Sequence, residues 1–390
     1  MTMQHGDLAG AAILGAVEVP YRRKPAGAST ADLLARAFAA ALDQAGFDTR
    51  EVDGLGVAAF TLAPDHAIDM AWRLGLSPRW CMDDCHGGAS AINLLQHAIR
   101  AIQHGDANVI ALLAGDSFEA EDFRHLVEHY NVTTRDYLRP LRNGGPNSVF
   151  AMLTARHARA NGLSREHYAA LCIAQRAWAA DNPGAVYRTP LSLDAYFDAP
   201  LVADPLCRFD CVPVVSGANA LIVARGDLAR GKPAVRVSAL QCSYNTDHQA
   251  GDGLRTALAA LAPALWRQAG AGPGEMDVVS VYDDYPAMAL IQLADLGFAP
   301  DGDLPALIGR IASRELAVNT SGGQLSAGQA GAAGGMHGLV EAVTQLRGAA
   351  GARQVPDAAC AVVSGYGMVQ YRYGMCANAV VLERDRRSEP

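Results

Sequence analysis

Two stretches decide how this chain folds: GGASAINLLQHAIRAIQHGDANVIALLAG at residues 87–115 and GGMHGLVEAVTQLRGAAGARQVPDAACAVVSG at residues 334–365. Each opens on a glycine pair, runs through an apolar pattern of helical period, closes that run on glycine and ends in an apolar strand. A glycine pair leaves backbone N–H groups bare at a helix start, and the later glycine supplies the left-handed turn that ends the helix. Repetition of the unit predicts two similar halves whose glycine-opened helices face a shared centre.

The flanking sequence continues the alternation of strand and helix that marks an α/β sheet covered by helices. AAILGAVEV (11–19), VDGLGVAAF (52–60) and ALIVARG (220–226) read as strands of the first half. STADLLARAFAAALDQAG (29–46) reads as a helix capped by Ser29 or Thr30 and stopped by Gly46. In the second half AVRVSALQCS, DVVSVYDDY, AVNT and CANAVVLER read as strands, with helices in GLRTALAALAPALWRQAG and AMALIQLADLGF. The expected organisation is a first half of residues 1–115 plus 211–228, a cap insertion at 116–210 and a second half at 229–390. An insertion that long without a simple βα rhythm is more often functional than a connector.

Composition excludes several classes. The 390 residues are 50% hydrophobic and 18% charged, enough for one large core or two ordinary ones. A net charge of −8 offers no field for a phosphate backbone, so no nucleic-acid partner is expected. No window has the roughly 18 apolar residues of a membrane span, and the start lacks a signal-peptide pattern, so the expected location is the cytoplasm. Eight scattered cysteines suit reduced thiols, and the Cys81/Cys85 and Cys207/Cys211 pairs lack matching ligands at a zinc-site spacing, so no metal is expected.

Four phrases, in order, resemble the thiolase superfamily over essentially the whole chain: GLSREHYAALCIAQRAWAA (162–180), PLCRFDCVPVVSGANALIVA (205–224), VYDDYPAMALIQLADLG (281–297) and NTSGGQLSAGQAGAAGG (319–335). The resemblance implies a thiolase-like α/β fold of two pseudo-repeated halves in a five-layer αβαβα arrangement, with a cap insertion. It also shows what has gone. The family's nucleophilic cysteine falls on Gly88, about seventeen residues before Gly105. Its histidine falls on Gln329, its second cysteine on Val363, and the asparagine of its NEAF segment on Tyr282. An ordinary thiolase needs both cysteines and the histidine.

Groups that handle a thioester without a covalent bond survive. Gly87 and Gly88, with Gly328, are candidates to bind an enolate oxygen or substrate through backbone N–H groups. Tyr282, Asp283, Asp284 and Tyr285, at a strand end, would project toward the same centre and move protons, with Gln329 and Tyr366 nearby. Cys85 and His86 stay open as a displaced nucleophile pair or as a core thiol beside a turn residue. Tyr282 and Tyr285 could equally be core aromatics. Arg139 and Arg142, in RDYLRPLRN (135–143), are candidates to meet the phosphates of coenzyme A.

The combination resembles the thiolase-like acyl-CoA aldolases, which cleave a 3-hydroxyacyl-CoA to a shorter acyl-CoA and a carbonyl compound. That group tends to carry tyrosine where this chain has Gln329. The resemblance implies a homodimer, coenzyme A as part of the substrate with no covalently bound cofactor, and a small DUF35 partner with an OB-fold and zinc ribbon. Thiolysis or acyl transfer at an atypical site, or a non-catalytic subunit, are the alternatives. For the dimer, the apolar run ANVIALLAG (107–115) is the expected edge strand, since a bare apolar edge is costly.

Overall fold

The computed structural model describes residue 8 and residues 10–141, 145–246, 251–370 and 373–385, with backbone alone at 368–370 and 373–375. Eleven strands form among them: β1 Ala11–Arg22, β2 Gly54–Ala58, β3 Trp80–Asp83, β4 Val109–Asp116, β5 Leu201–Ala203, β6 Leu206–Cys207, β7 Ser216–Arg225, β8 Val235–Tyr244, β9 Val278–Ser280, β10 Cys360–Gln370 and β11 Tyr373–Arg384. Nine of them join in the order β3-β2-β4-β7-β1-β8-β11-β10-β9, and β5 and β6 form a separate hairpin.

The duplication expected from the glycine-opened units is written in the pairing. Starting from β1, the first half runs antiparallel to β7, antiparallel to β4, then parallel to β2 and β3. From β8, the second half runs antiparallel to β11, antiparallel to β10, then parallel to β9 and to a single bridge between Val279 and Val318. Among the described residues the two arrays are joined by strand pairing where Ala12 and Ile13 meet Arg236 and Val235.

Between the arrays lie the helices Ser90–His104 and Gly334–Leu346, each preceded by a glycine-rich 3₁₀ turn. Their apolar faces merge with the inner faces of both arrays in one core, which holds Ile92, Leu95, Ile99, Met336, Leu339 and Val343. The helix Thr30–Ala45 covers the outer face of the first array. Leu258–Ala269 and Pro286–Asp295 cover that of the second, which completes five layers. The alternation of strand faces therefore puts apolar residues on both sides of the sheet, as expected where helices cover both faces.

Several expected elements differ. AVNT contributes one bridge rather than a strand, and DVVSVYDDY leaves the sheet after Ser280. ANVIALLAG is β4 and lies between β2 and β7, so it is no edge; the edge of the first array is the short strand β3. The 116–210 region is largely helical, with Ala120–His129, Pro146–Asn161 and Arg165–Ala180 as its main helices. Among the described residues, no helix is long and apolar enough to cross a membrane, and no group of three or more potential metal ligands assembles. All eight cysteines are free thiols.

Backbone contact at the centre explains the small residues there. A Cβ on Gly335 or Gly365 would lie 2.6 Å from the carbonyl oxygen of Gly88, closer than any side chain can approach. Asn378 locks the same turn by donating to the carbonyl of Ala89 and to the side chain of Asn93, both at 2.8 Å. Gly365→Ala must therefore push the first turn of Ser90–His104 away from β10. We expect a loss of about 1–3 kcal/mol in urea unfolding; an unchanged midpoint would show that the turn yields freely.

Candidate active site

The site grows from the point where β9 ends. Val281–Tyr285 crosses from that strand into the helix Pro286–Asp295, whose first position benefits from the fixed φ of Pro286. Two buried amides hold the crossing. Asn319 accepts from the N–H of Val281 at 2.9 Å, and Gln292 donates to the carbonyl of Tyr282 at 2.6 Å.

Neighbouring side chains then part company. Asp283 turns away from the cavity and accepts the N–H groups of Gln324 and Leu325, at 2.9 and 3.4 Å, at the start of the short helix Gly323–Ala327. Asp284 faces the cavity instead and receives the hydroxyl of Tyr366 on both carboxylate oxygens, at 2.5 and 2.6 Å. Burial pushes the Asp284 carboxyl up to about 7; the Tyr366 bond works the other way, and the adjacent Asp283 adds repulsion. Asp283 rises to about 6, again chiefly through burial. A carboxylate poised near neutrality is suited to take and return a proton.

Tyr282 stands opposite. Its ring lies edge-on to Tyr366, with centroids 5.3 Å apart, and its hydroxyl oxygen accepts from the side-chain amide of Gln329 at 2.6 Å. With that lone pair engaged, the phenolic hydrogen is free for a ligand. Burial, followed by the charge of Asp284, raises its pKa well above the usual value, so the group stays a neutral donor.

The ring of Tyr282 also fills the space next to Gly88. A Cβ on Gly88 would sit 2.3 Å from one ring carbon and 2.4 Å from another, and 2.4 Å from the carbonyl oxygen of Tyr366. No side chain fits at residue 88 while Tyr282 is in place. The N–H groups of Gly87 and Gly88 have no acceptor among the described residues, and both glycines line the cavity. They can receive negative charge there.

The cavity measures about 560 Å³. Gly87, Gly88, Tyr282, Asp284, Tyr285 and Gln329 form its floor, and the helices of the 116–210 region form its roof. Most of that roof is apolar, with Phe123, Leu126, Val127, Leu138, Val149 and Phe150 contributing. Tyr285 stacks on Phe150, at 4.3 Å between centroids, and donates to Asn147 at 2.7 Å, tying floor to roof. Arg124 and Arg139 also line the cavity. Arg139 is half-exposed, paired with Glu128 at 3.4 Å and bonded to His129 at 3.1 Å. Arg142 lies outside the described residues.

The remaining candidates sit elsewhere. Cys85 is exposed and does not line the cavity. His86 bonds to Asp84 at 3.0 Å and meets the edge of Tyr244, so it serves the turn that leads into the glycine pair. Gly328, at φ 118°, packs against Val215 and Tyr21, and it is Gly331 that reaches the cavity. Val363 is buried in the central core. Sequence reasoning missed Phe60, Arg124, Tyr130 and Asn147. Only the Gly-Pro break before Asn147 hints that a helix starts there, and nothing local tells that it faces Tyr285.

Fold and site together define a thiolase-fold protein whose nucleophile position is closed. Comparison with known proteins agrees. The family described as Thiolase C-terminal domain-like matches residues 239–383. The chain is 30% identical over 361 residues to the 17-hydroxy-3-oxo-4-pregnene-20-carboxyl-CoA lyase of Mycobacterium tuberculosis, covering 87% of this chain and 92% of that one. It is 27% identical to the steroid side-chain-cleaving aldolase of Thermomonospora curvata, covering 87% and 91%. A solved structure described as an Ltp2-ChsH2(DUF35) aldolase superimposes with a TM-score of 0.82 at 25% identity, over 97% of this chain and 99% of that one. An acetyl-CoA acetyltransferase from Syntrophomonas wolfei shares the fold, with a TM-score of 0.70 at 17% identity. The chain belongs to the thiolase-like acyl-CoA aldolases, and its chemistry is retro-aldol cleavage of an acyl-CoA.

The geometry separates two substitutions. Gly88→Ala forces Tyr282 off Gln329 and should cost about 10²-fold or more in activity, as misplaced reacting groups do. Cys85→Ala, outside the cavity, should stay within about twofold of the parent, the range for exposed sites. Steady-state kinetics on both variants checks the assignment, and an inactive Cys85→Ala protein would overturn it.

Proposed function

We propose that this chain cleaves 3-hydroxyacyl-CoA thioesters with a bulky, largely apolar acyl group, through a noncovalent enolate. The observation that carries the reading is the ring of Tyr282 against Gly88, which removes the place of a covalent nucleophile and sets a phenol there instead. The apolar roof of a 560 Å³ cavity supports the acyl class, as do one relative named for a pregnene carboxyl-CoA and another named for steroid side-chain cleavage.

In this mechanism Asp284 takes the proton of the 3-hydroxyl. The oxygen's electrons form the new carbonyl as the C2–C3 bond breaks, and the bonding pair becomes the thioester enolate. The free N–H groups of Gly87 and Gly88 stabilise its oxygen, a contribution of about 3 kcal/mol per donor. Tyr282 protonates C2, and the proton held by Asp284 restores the phenol. Arg124 and Arg139 meet the phosphates of coenzyme A, which arrives as part of the substrate. No step needs a resident cofactor.

Two assemblies belong to this reading. One is a homodimer formed at the β3 edge, which has no partner strand on its outer side among the described residues and adjoins the helix His66–Arg73, where Trp72 and Ile68 are 78% and 67% exposed. The other is a complex with a small DUF35 protein, supported by the composition of the aldolase structure it resembles. Coenzyme A thioesters and eight free thiols fit a cytoplasmic setting.

Three measurements test the proposal. Quenched reactions with a panel of 3-hydroxyacyl-CoAs, with and without the DUF35 partner, should yield a shortened acyl-CoA and a carbonyl compound, with no acyl adduct in the intact protein mass. An acylated protein would restore a thiolase mechanism. kcat/KM should rise with pH through about 7 as Asp284 ionises. Tyr366→Phe removes the donor that favours the ionised form, so the acid limb should move to higher pH; an unmoved limb would deny Asp284 the role of base. Sedimentation at micromolar concentration should give a dimer, and a monomer would remove the β3 interface.

A further inference from the structure

Asn147 occupies an unusual position in the cavity wall. It follows Pro146 in the first turn of the helix Pro146–Asn161 and is half-buried. Its Oδ1 accepts the hydroxyl of Tyr285 at 2.7 Å. Tyr285 is itself immobilised, 5% exposed and stacked on Phe150 at an interplanar angle of 20°. In this arrangement Tyr285 spends its one hydrogen on the amide oxygen. The Nδ2 group is thereby left as a donor of two N–H bonds, and it has no acceptor among the described residues.

The surroundings make that donor conspicuous. Val149 and Phe150 follow it on the same helix, and Val127 and Leu138 belong to the same roof. A few placed polar groups are what give apolar pockets their specificity. The cations of the cavity wall, Arg124 and Arg139, suit phosphates, and the two amides of a pantetheine arm would call for several polar partners rather than one. Asn147 suits a ligand that is apolar apart from one acceptor.

We propose that Asn147 is a specificity-determining residue, aimed by Tyr285, that donates to a single oxygen acceptor, such as a ketone, on an otherwise apolar acyl group. The inference rests on the acyl-CoA aldolase reading and names the substrate feature that this site selects. Tyr285 is then a positioning residue: it does not touch the substrate oxygen but decides which end of the Asn147 amide is presented.

Binding tests this independently of turnover. Two acyl-CoAs that lack the 3-hydroxyl, and so cannot be cleaved, are matched except that one carries a ketone in its apolar portion and the other a methylene. Isothermal titration with the parent chain should favour the ketone by about tenfold, the range of one well-made hydrogen bond. Asn147→Leu and Asn147→Asp should each bring that ratio to about one or below, and Tyr285→Phe should reduce it part of the way, with thermal melting used to confirm that each variant is folded. A ratio that survives in Asn147→Leu, or a parent chain that does not discriminate, would overturn the proposal. A parent that discriminates yet cleaves no 3-hydroxyacyl-CoA would instead count against the aldolase reading.

Discussion

The contact between the ring of Tyr282 and the bare backbone of Gly88 is the constraint on which the site depends. A Cβ at residue 88 would come within 2.3 Å of that ring, so glycine at one position and tyrosine at the other require each other. The pair also requires the centre of the fold to be built from backbone. Gly335 and Gly365 approach the carbonyl of Gly88 so closely that the two central helices and β10 meet with no side chain between them. Close packing of this kind transmits any added atom as strain, because the neighbours have nowhere to relax.

Once the ring is in place, the electrostatics follow from burial. Two adjacent carboxylates leave the end of β9, and the chain separates them by giving each a different set of donors. Asp283 is satisfied by backbone N–H groups and closes the start of the helix Gly323–Ala327, whereas Asp284 receives the hydroxyl of Tyr366 and is pushed by burial to about 7 in a site that ligands can reach. Tyr282 is held in the opposite state, a neutral donor whose oxygen is already occupied by Gln329. Burial is the main cause of both shifts, and it leaves a carboxyl near neutrality facing a phenol that keeps its proton. Gln329, which cannot itself act as a base, has its effect through Tyr282.

The roof supplies what the floor lacks. The floor presents glycines, phenols and one carboxylate, whereas helices of the 116–210 region supply much of the cavity's apolar lining, joined by Phe60, Val212 and Val214. The bond from Tyr285 to Asn147 and the stack of Tyr285 on Phe150 join the two parts, so the same short crossing after β9 carries both the reacting groups and the attachment of the roof. Chemistry and selectivity are therefore mechanically linked through consecutive residues.

The sequence by itself determined the duplicated α/β architecture, because hydrophobic period, glycine stops and apolar strands are local signals that survive whatever they pack against. It also determined that residue 88 is glycine and residue 329 glutamine, and hence what chemistry was missing. The lengths of weak elements were not legible: AVNT makes one bridge, since a strand at the end of an array is defined by pairing on a single side, and β3 went unnoticed for the same reason. The order of strands was not legible either, as the interior place of ANVIALLAG shows. Only the tertiary structure decided which polar residues reach the ligand. Asp283 and Asp284 are neighbours of identical type, and Cys85 is three residues from Gly88, yet one of each pair faces the cavity and the other does not. The physical reason is that a side chain's role is set by the donors, rings and carbonyls that distant segments bring to it. The partners that matter here, Gln329 for Tyr282, Tyr366 for Asp284 and Asn147 for Tyr285, lie 47, 82 and 138 residues away along the chain.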